Sequence, residues 1–100
     1  AFQQAIALNP AYTEAHYSLG TIYLQQGQLD AAIDAFRRSA ESDSNYANAY
    51  YGAGLAFLQQ SNYAEAQRVF AYARDLFYAQ GNAEWGANAE LLMMQAQQQP

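Results

Sequence analysis

Two stretches of this chain can be set one above the other, without a gap, at a spacing of 34 residues. Thr13 to Tyr46 reads TEAHYSLGTIYLQQGQLDAAIDAFRRSAESDSNY, and Ala47 to Gln80 reads ANAYYGAGLAFLQQSNYAEAQRVFAYARDLFYAQ. Ala15 falls on Ala49, His16 on Tyr50, Tyr17 on Tyr51, Gly20 on Gly54 and Tyr23 on Phe57. Leu24 falls on Leu58, Gln25-Gln26 on Gln59-Gln60, Ala32 on Ala66 and Phe36 on Phe70. A period of this size marks a repeat architecture, in which each unit buries its apolar face against the next unit rather than in a core of its own.

Within a unit the apolar residues keep helical time. His16, Leu19, Gly20 and Tyr23 are spaced i, i+3, i+4, i+7 and share one stripe, while Ala32, Phe36 and Ser39 form a second. Small residues at Gly20, Gly54, Ala32 and Ala66 let two helices approach closely, and Tyr23, Phe36, Phe57 and Phe70 fill the space beside them. Gly27 is placed to stop the first helix in the left-handed conformation. Ser61 holds the equivalent position in the second unit, where a side chain costs backbone strain. Asn62, three residues before Glu65, reads as an N-cap with its capping-box partner. The pattern predicts a helical stub at 1–8 and helices near 13–26, 30–42, 47–60, 63–79 and 83–97, with no strand.

Composition narrows the chemistry. The chain has 100 residues, enough for one small domain, and its 52% hydrophobic content is far from that of a disordered segment. There is no cysteine, so no thiolate metal site or thiol nucleophile exists, and the lone His16 excludes a multi-histidine site. The net charge of −5 argues against a nucleic-acid partner, and there is no lysine: the four cations are Arg37, Arg38, Arg68 and Arg74. Arg37-Arg38 is too short a basic run to be an anion patch. No apolar run approaches the roughly 18 residues of a membrane span, so direct membrane insertion is not expected. No phosphate loop, metalloprotease or nucleophile-elbow motif occurs. Asp30 and Asp34 lie one helical turn apart, but Arg37 and Arg38 sit at i+3 and i+4 from Asp34, the pattern of a solvated outer face. His16 and Trp85 occupy the large packing position that Tyr50 fills in the second unit. No enzyme activity, cofactor or metal is expected.

The aromatic, Leu-Gly, Tyr, Ala, aromatic, Ala, Pro pattern resembles the tetratricopeptide repeat (TPR) family. The first unit matches through His16, Leu19-Gly20, Tyr23, Ala32 and Phe36, with Ser39 replacing the later Ala and Ser44 the Pro. The second matches through Tyr50, Ala53-Gly54, Phe57, Ala66, Phe70 and Ala73, with Tyr78 in place of Pro. The resemblance implies an all-α fold of antiparallel helix-turn-helix pairs stacked in a right-handed superhelical solenoid. It divides the chain into 1–12 as the end of a preceding unit (through Phe2, Ala5 and Pro10), 13–46 and 47–80 as full units, 81–97 as a C-terminal capping helix, and 98–100 as a tail. One extra residue near Gly81 brings Trp85, Ala89 and Leu92 into register. A chain that opens in mid-unit is the expectation for a piece of a longer repeat protein.

By the same resemblance, the first helix of each pair lines a concave groove that binds peptides or proteins. The ligand-facing positions carry over to Glu14, Tyr17, Ser18, Thr21, Leu24 and Gln25, then to Asn48, Tyr51, Gly52, Leu55, Leu58 and Gln59, then to Ala83, Gly86, Glu90, Met93 and Met94. No cation appears among them, which excludes the carboxylate-clamp subclass. The implied function is a scaffold whose neutral, Tyr- and Leu-lined groove takes a peptide or helical segment of a partner, with Tyr51 as the central hot spot that can be truncated without loss of fold. The lysine-free, Gln- and Ala-rich composition resembles cyanobacterial sequences, and the setting it implies is a larger bacterial assembly or tethering protein, of which photosynthetic-complex assembly is one example. The alternative is a structural module that homo-oligomerises through Leu91, Met93 and Met94, because the Leu91-Leu92-Met93-Met94 run is apolar on every side of its helix. Neither cytoplasm nor periplasm is selected by the sequence.

Overall fold

A computed structural model describes residues 10–99. Five helices follow in order: α1 Pro10–Gln25, α2 Leu29–Ser42, α3 Ala47–Gln59, α4 Tyr63–Ala79 and α5 Ala83–Gln97. Each helix packs on the next, in antiparallel pairs, and α1 also touches α3. The described residues contain no strand. Phe2, Ala5, Ile6 and Leu8, assigned above to a helical stub, lie outside the described residues.

The periodic pattern placed the helices, and two local details differ. Helix α1 begins at Pro10 rather than near residue 13, because proline's fixed φ and missing N–H suit the first helical position. The capping box at Asn62 does not form: its side chain makes no cap hydrogen bond, and Glu65 instead accepts from Arg68. The side-chain cap stands at Asn82, whose carbonyl accepts the Trp85 backbone N–H at 3.4 Å.

Three of the four connections share one backbone geometry. Gly27, Ser61 and Gly81 have φ of 77°, 61° and 79°. In each turn the residue after the left-handed one donates its N–H five residues back: Gln28 to Tyr23, Asn62 to Phe57, Asn82 to Phe77. These bonds satisfy carbonyls that the helix end would leave open. Ser61 therefore adopts the conformation its glycine counterparts adopt, as its position in the repeat predicts. The fourth connection, residues 43–46, has no left-handed residue: Asp43 is extended at φ −143° and ψ 101°, and a turn at 44–45 follows, closed by the Tyr46 N–H on the Asp43 carbonyl at 3.0 Å.

The core is built by glycines opposite phenylalanines. Phe36 and Phe70 are fully buried. A Cβ on Gly20 would stand 2.7 Å from the Phe36 ring, and one on Gly54 would stand 2.5 Å from Phe70, so each unit repeats the same contact between its two helices. Gly52 adds a joint between units, because its Cβ would meet Phe36 of the preceding pair at 2.5 Å. Helix α3 is lined by Ala47, Ala49, Gly52, Ala53, Gly54 and Ala56, all buried, which lets neighbours close on it from two sides. Ser39, where the family pattern has Ala, is also fully buried; its hydroxyl donates to the Thr13 carbonyl at 2.8 Å, and Thr13 Oγ1 lies 2.6 Å from Ser42 Oγ. These bonds tie the first turn of α1 to the last turn of α2. Leu19, expected on the inner stripe, is exposed, whereas Gly20 beside it takes the buried position against Phe36.

Candidate functional site

The connections and the inward faces of α1 and α3 enclose a groove of about 740 Å³. Tyr17, Thr21 and Leu24 enter it from α1, and Asn48, Tyr51, Gly52 and Leu55 from α3. These residues recur at i, i+3, i+4 and i+7, so one face of each helix is presented along its length. Thr21 donates its hydroxyl to the Tyr17 carbonyl at 3.1 Å, which leaves its methyl group for the groove.

Other positions that motif alignment assigned to the groove stand elsewhere. Glu14 lies in an adjoining recess of about 110 Å³. Leu58 packs over the Ala66, Phe70 and Ala96 cluster, drawn there by apolar burial, and Met93 packs on the same cluster. Gln25, Gln59 and Ser18 are exposed outside the lining, and so is Ala83. Glu90 faces Tyr78, whose hydroxyl donates to it at 3.5 Å. Gly86 is buried, its missing Cβ leaving room for the Tyr78 ring. Of the suggested oligomer contacts, Leu91 and Met94 are exposed. Met93 is half-buried, with Arg74 Nη1 at 3.6 Å from its sulfur.

The groove also holds residues that the motif positions omit. Asp43, Asn45 and Tyr46 come from the joint between units, and Phe77, Gln80, Asn82 and Trp85 from the end of α4 and the start of α5. Gln80 Nε2 donates to the Asn45 carbonyl at 2.7 Å and so links the two connections. Trp85, expected as a packing residue, is 44% exposed, yet its ring meets Tyr51 edge-on at 5.4 Å. The Asn82 cap holds the first turn of α5 where Trp85 stands. Tyr51 also makes T-shaped contacts with Phe70 at 5.7 Å and Phe77 at 6.2 Å. Tyr51 thus ties α3 to α4 and α5 as well as lining the groove, which corrects the expectation that its truncation spares the fold. A tyrosine placed just before α3 and a tryptophan at the start of α5 were the available signals.

No cation lines the groove, and its one charged lining residue is Asp43. Burial raises the Tyr51 phenol above its ordinary pKa, and burial followed by the nearby charge of Glu14 does the same at Tyr46. The arginines are engaged elsewhere. Arg37 and Arg38 pair with Asp34, Arg68 with Glu65, and Arg74 with Asp75. Hydrogen bonds from Arg37, then Arg38, hold the Asp34 carboxyl below its usual range. Asp30 accepts from Gln60 at 2.7 Å, so the Asp30/Asp34 pair serves two separate contacts. His16 is half-buried against the Tyr12 ring at 4.2 Å, in keeping with a packing role.

Residues 1–47 match the tetratricopeptide repeat family model. This stretch belongs to the tetratricopeptide repeat family. The TPR match covers the first full unit, and the Gly54–Phe70 contact reproduces in the second unit the Gly20–Phe36 contact of the first. No curated protein matches the chain. TPR modules are usually non-enzymatic scaffolds for protein–protein interaction, and this chain carries that general role. No helix among the described residues is long and apolar enough to cross a membrane.

Proposed function

We propose that the concave groove binds a peptide or helical segment of a protein partner, within a larger bacterial assembly or tethering protein. The observation that carries this reading is the continuity of the lining: Tyr17, Leu24, Tyr51, Leu55 and Trp85 share one groove that spans α1, α3 and the start of α5. Aromatic rings there supply contact area at low entropy cost. Trp85 is the better probe than Tyr51, because it is exposed whereas Tyr51 is half-buried. Peptides selected by display against the intact chain should bind more weakly to Trp85→Ala and Leu24→Ala, and normally to Tyr72→Ala, which lies outside the groove. Equal affinity for all three variants rejects the groove.

One observation favours a second reading. Leu91 is 63% exposed and Met94 44% exposed on the same helix, an apolar surface suited to a second copy of the chain. Light scattering separates the readings: a dimer that Leu91→Glu and Met94→Glu split supports assembly through α5, and a monomeric parent protein rejects it.

A further inference from the structure

The groove and the small recess beside it share two residues, Asp43 and Tyr46. The recess adds Glu14, so two carboxylates and the Tyr46 ring line one space, together with Pro10 and Thr13. Among the described residues neither carboxylate has an arginine partner, since all four arginines pair with acids on α2 or α4. Asp43 Oδ1 accepts the Asn45 N–H at 3.0 Å, which leaves Oδ2 without that backbone partner. Tyr17 stands edge-on to Tyr46 at 5.6 Å, so the recess opens onto a two-ring aromatic wall. Its volume of about 110 Å³ equals roughly three to four water molecules, room for a side-chain head group but not for a length of backbone.

Resting on the groove reading above, we infer that the bound segment carries an arginine whose guanidinium enters this recess, against Tyr46 and between Glu14 and Asp43. The chemistry selects the occupant. Two carboxylates repel an acidic head group, and a neutral one leaves their charge uncompensated. A guanidinium stacks on a phenol ring and forks its donors to two carboxylates, whereas an ammonium is a single, strongly hydrated point charge. Burial first, and then the nearby charge of Glu14, raises the Tyr46 phenol. The apolar groove then supplies contact area, and the recess sets the register of the segment along it.

The test uses the intact chain and peptides selected from a random display library, each synthesised with arginine or with citrulline, its uncharged near-isostere. Replacing the critical arginine by citrulline should weaken binding about tenfold at low salt. Asp43→Asn, which keeps the acceptor for Asn45, and Glu14→Gln should each weaken the arginine peptide and leave the citrulline peptide unchanged. Added salt should erode the difference. Selection of binders without arginine overturns the inference. So does equal affinity for the citrulline form, or indifference to both acid substitutions, when Trp85→Ala still weakens binding; the groove then survives without its arginine. If neither Trp85→Ala nor Leu24→Ala has an effect, the groove reading fails first and takes this inference with it.

Discussion

Gly52 and Phe36 form the joint between the two units, and exchanging them tests the packing most directly. Alanine at 52 places a Cβ 2.5 Å from both Cε1 and Cζ of a ring that is only 1% exposed. Overpacking of this kind costs about 1–3 kcal/mol. The better helix propensity of alanine returns about 1 kcal/mol, leaving a net loss of about 0–2 kcal/mol. Leucine at 36 has no counterpart of Cε1 or Cζ, the two atoms nearest the new methyl. In a Phe36→Leu background, Gly52→Ala should therefore turn neutral or stabilising by up to about 1 kcal/mol. The propensity gain is common to both backgrounds, so the coupling between the positions equals the relieved overpacking, about 1–3 kcal/mol, outside the additivity of independent sites. Urea denaturation of the four proteins, followed by far-UV circular dichroism, measures it. If Gly52→Ala costs the same in both backgrounds, Phe36 is not the partner of Gly52 and the account of the joint is wrong.

Phe36→Ala alone should cost about 3–5 kcal/mol, since Gly20 and Gly52 have no side chains to fill the cavity; a loss under about 1 kcal/mol contradicts the packing. Ser61→Gly should stabilise by about 1 kcal/mol at most, because φ is 61° there and no side-chain bond of Ser61 is seen, and an unchanged or lower melting temperature refutes the strain argument. Trp85→Ala should weaken segment binding by about 1–3 kcal/mol in calorimetric titration with little loss of stability, and normal affinity sinks its role in the groove. The phenols of Tyr46, Tyr50 and Tyr51 are all raised, chiefly by burial. Unfolded phenols ionise near pH 10 while these resist, so their contribution is intact below that pH and lost as pH rises through the folded values. Urea midpoints should accordingly fall above about pH 10, and less so in Tyr50→Phe; an equal fall in both proteins rejects the assignment.

What the sequence made legible is what the 34-residue period repeats. Gly20 and Gly54 could be placed against Phe36 and Phe70 because both members of each pair recur in register. Ser61 could be marked as strained because Gly27 stands at the same place in the other unit. The groove was half legible through the family resemblance: Tyr17, Thr21, Leu24, Asn48, Tyr51 and Leu55 were carried over from its ligand-facing positions, and all line it. Asp43 and Tyr46 were not legible, because the joint between units has no helical period, and their placement depends on how two helix pairs meet. Leu58 shows the converse. It aligns with the groove residue Leu24 and packs on the equivalent apolar cluster of its own unit, yet it lies outside the lining, so motif position alone does not place a residue in the groove. At Asn62, the capping signature was present, yet the side chain makes no cap bond and Arg68 draws Glu65 into an ion pair.

The two connections between units differ in kind, and that difference governs valency. The joint at residues 43–46 pairs an extended Asp43 with a turn that has no left-handed residue, and it delivers a carboxylate and a phenol to the concave side. The joint at 80–82 repeats the tight left-handed turn found inside the units. Repetition of the fold is therefore not repetition of the socket: the described residues hold two joints but one aromatic-acid recess. Avidity for a multisite partner comes from tethering copies, where linker length sets the effective concentration, rather than from the number of units in a copy. In an array of such segments, sockets recur once per joint of the 43–46 kind, and their spacing along the array is fixed by where that joint returns.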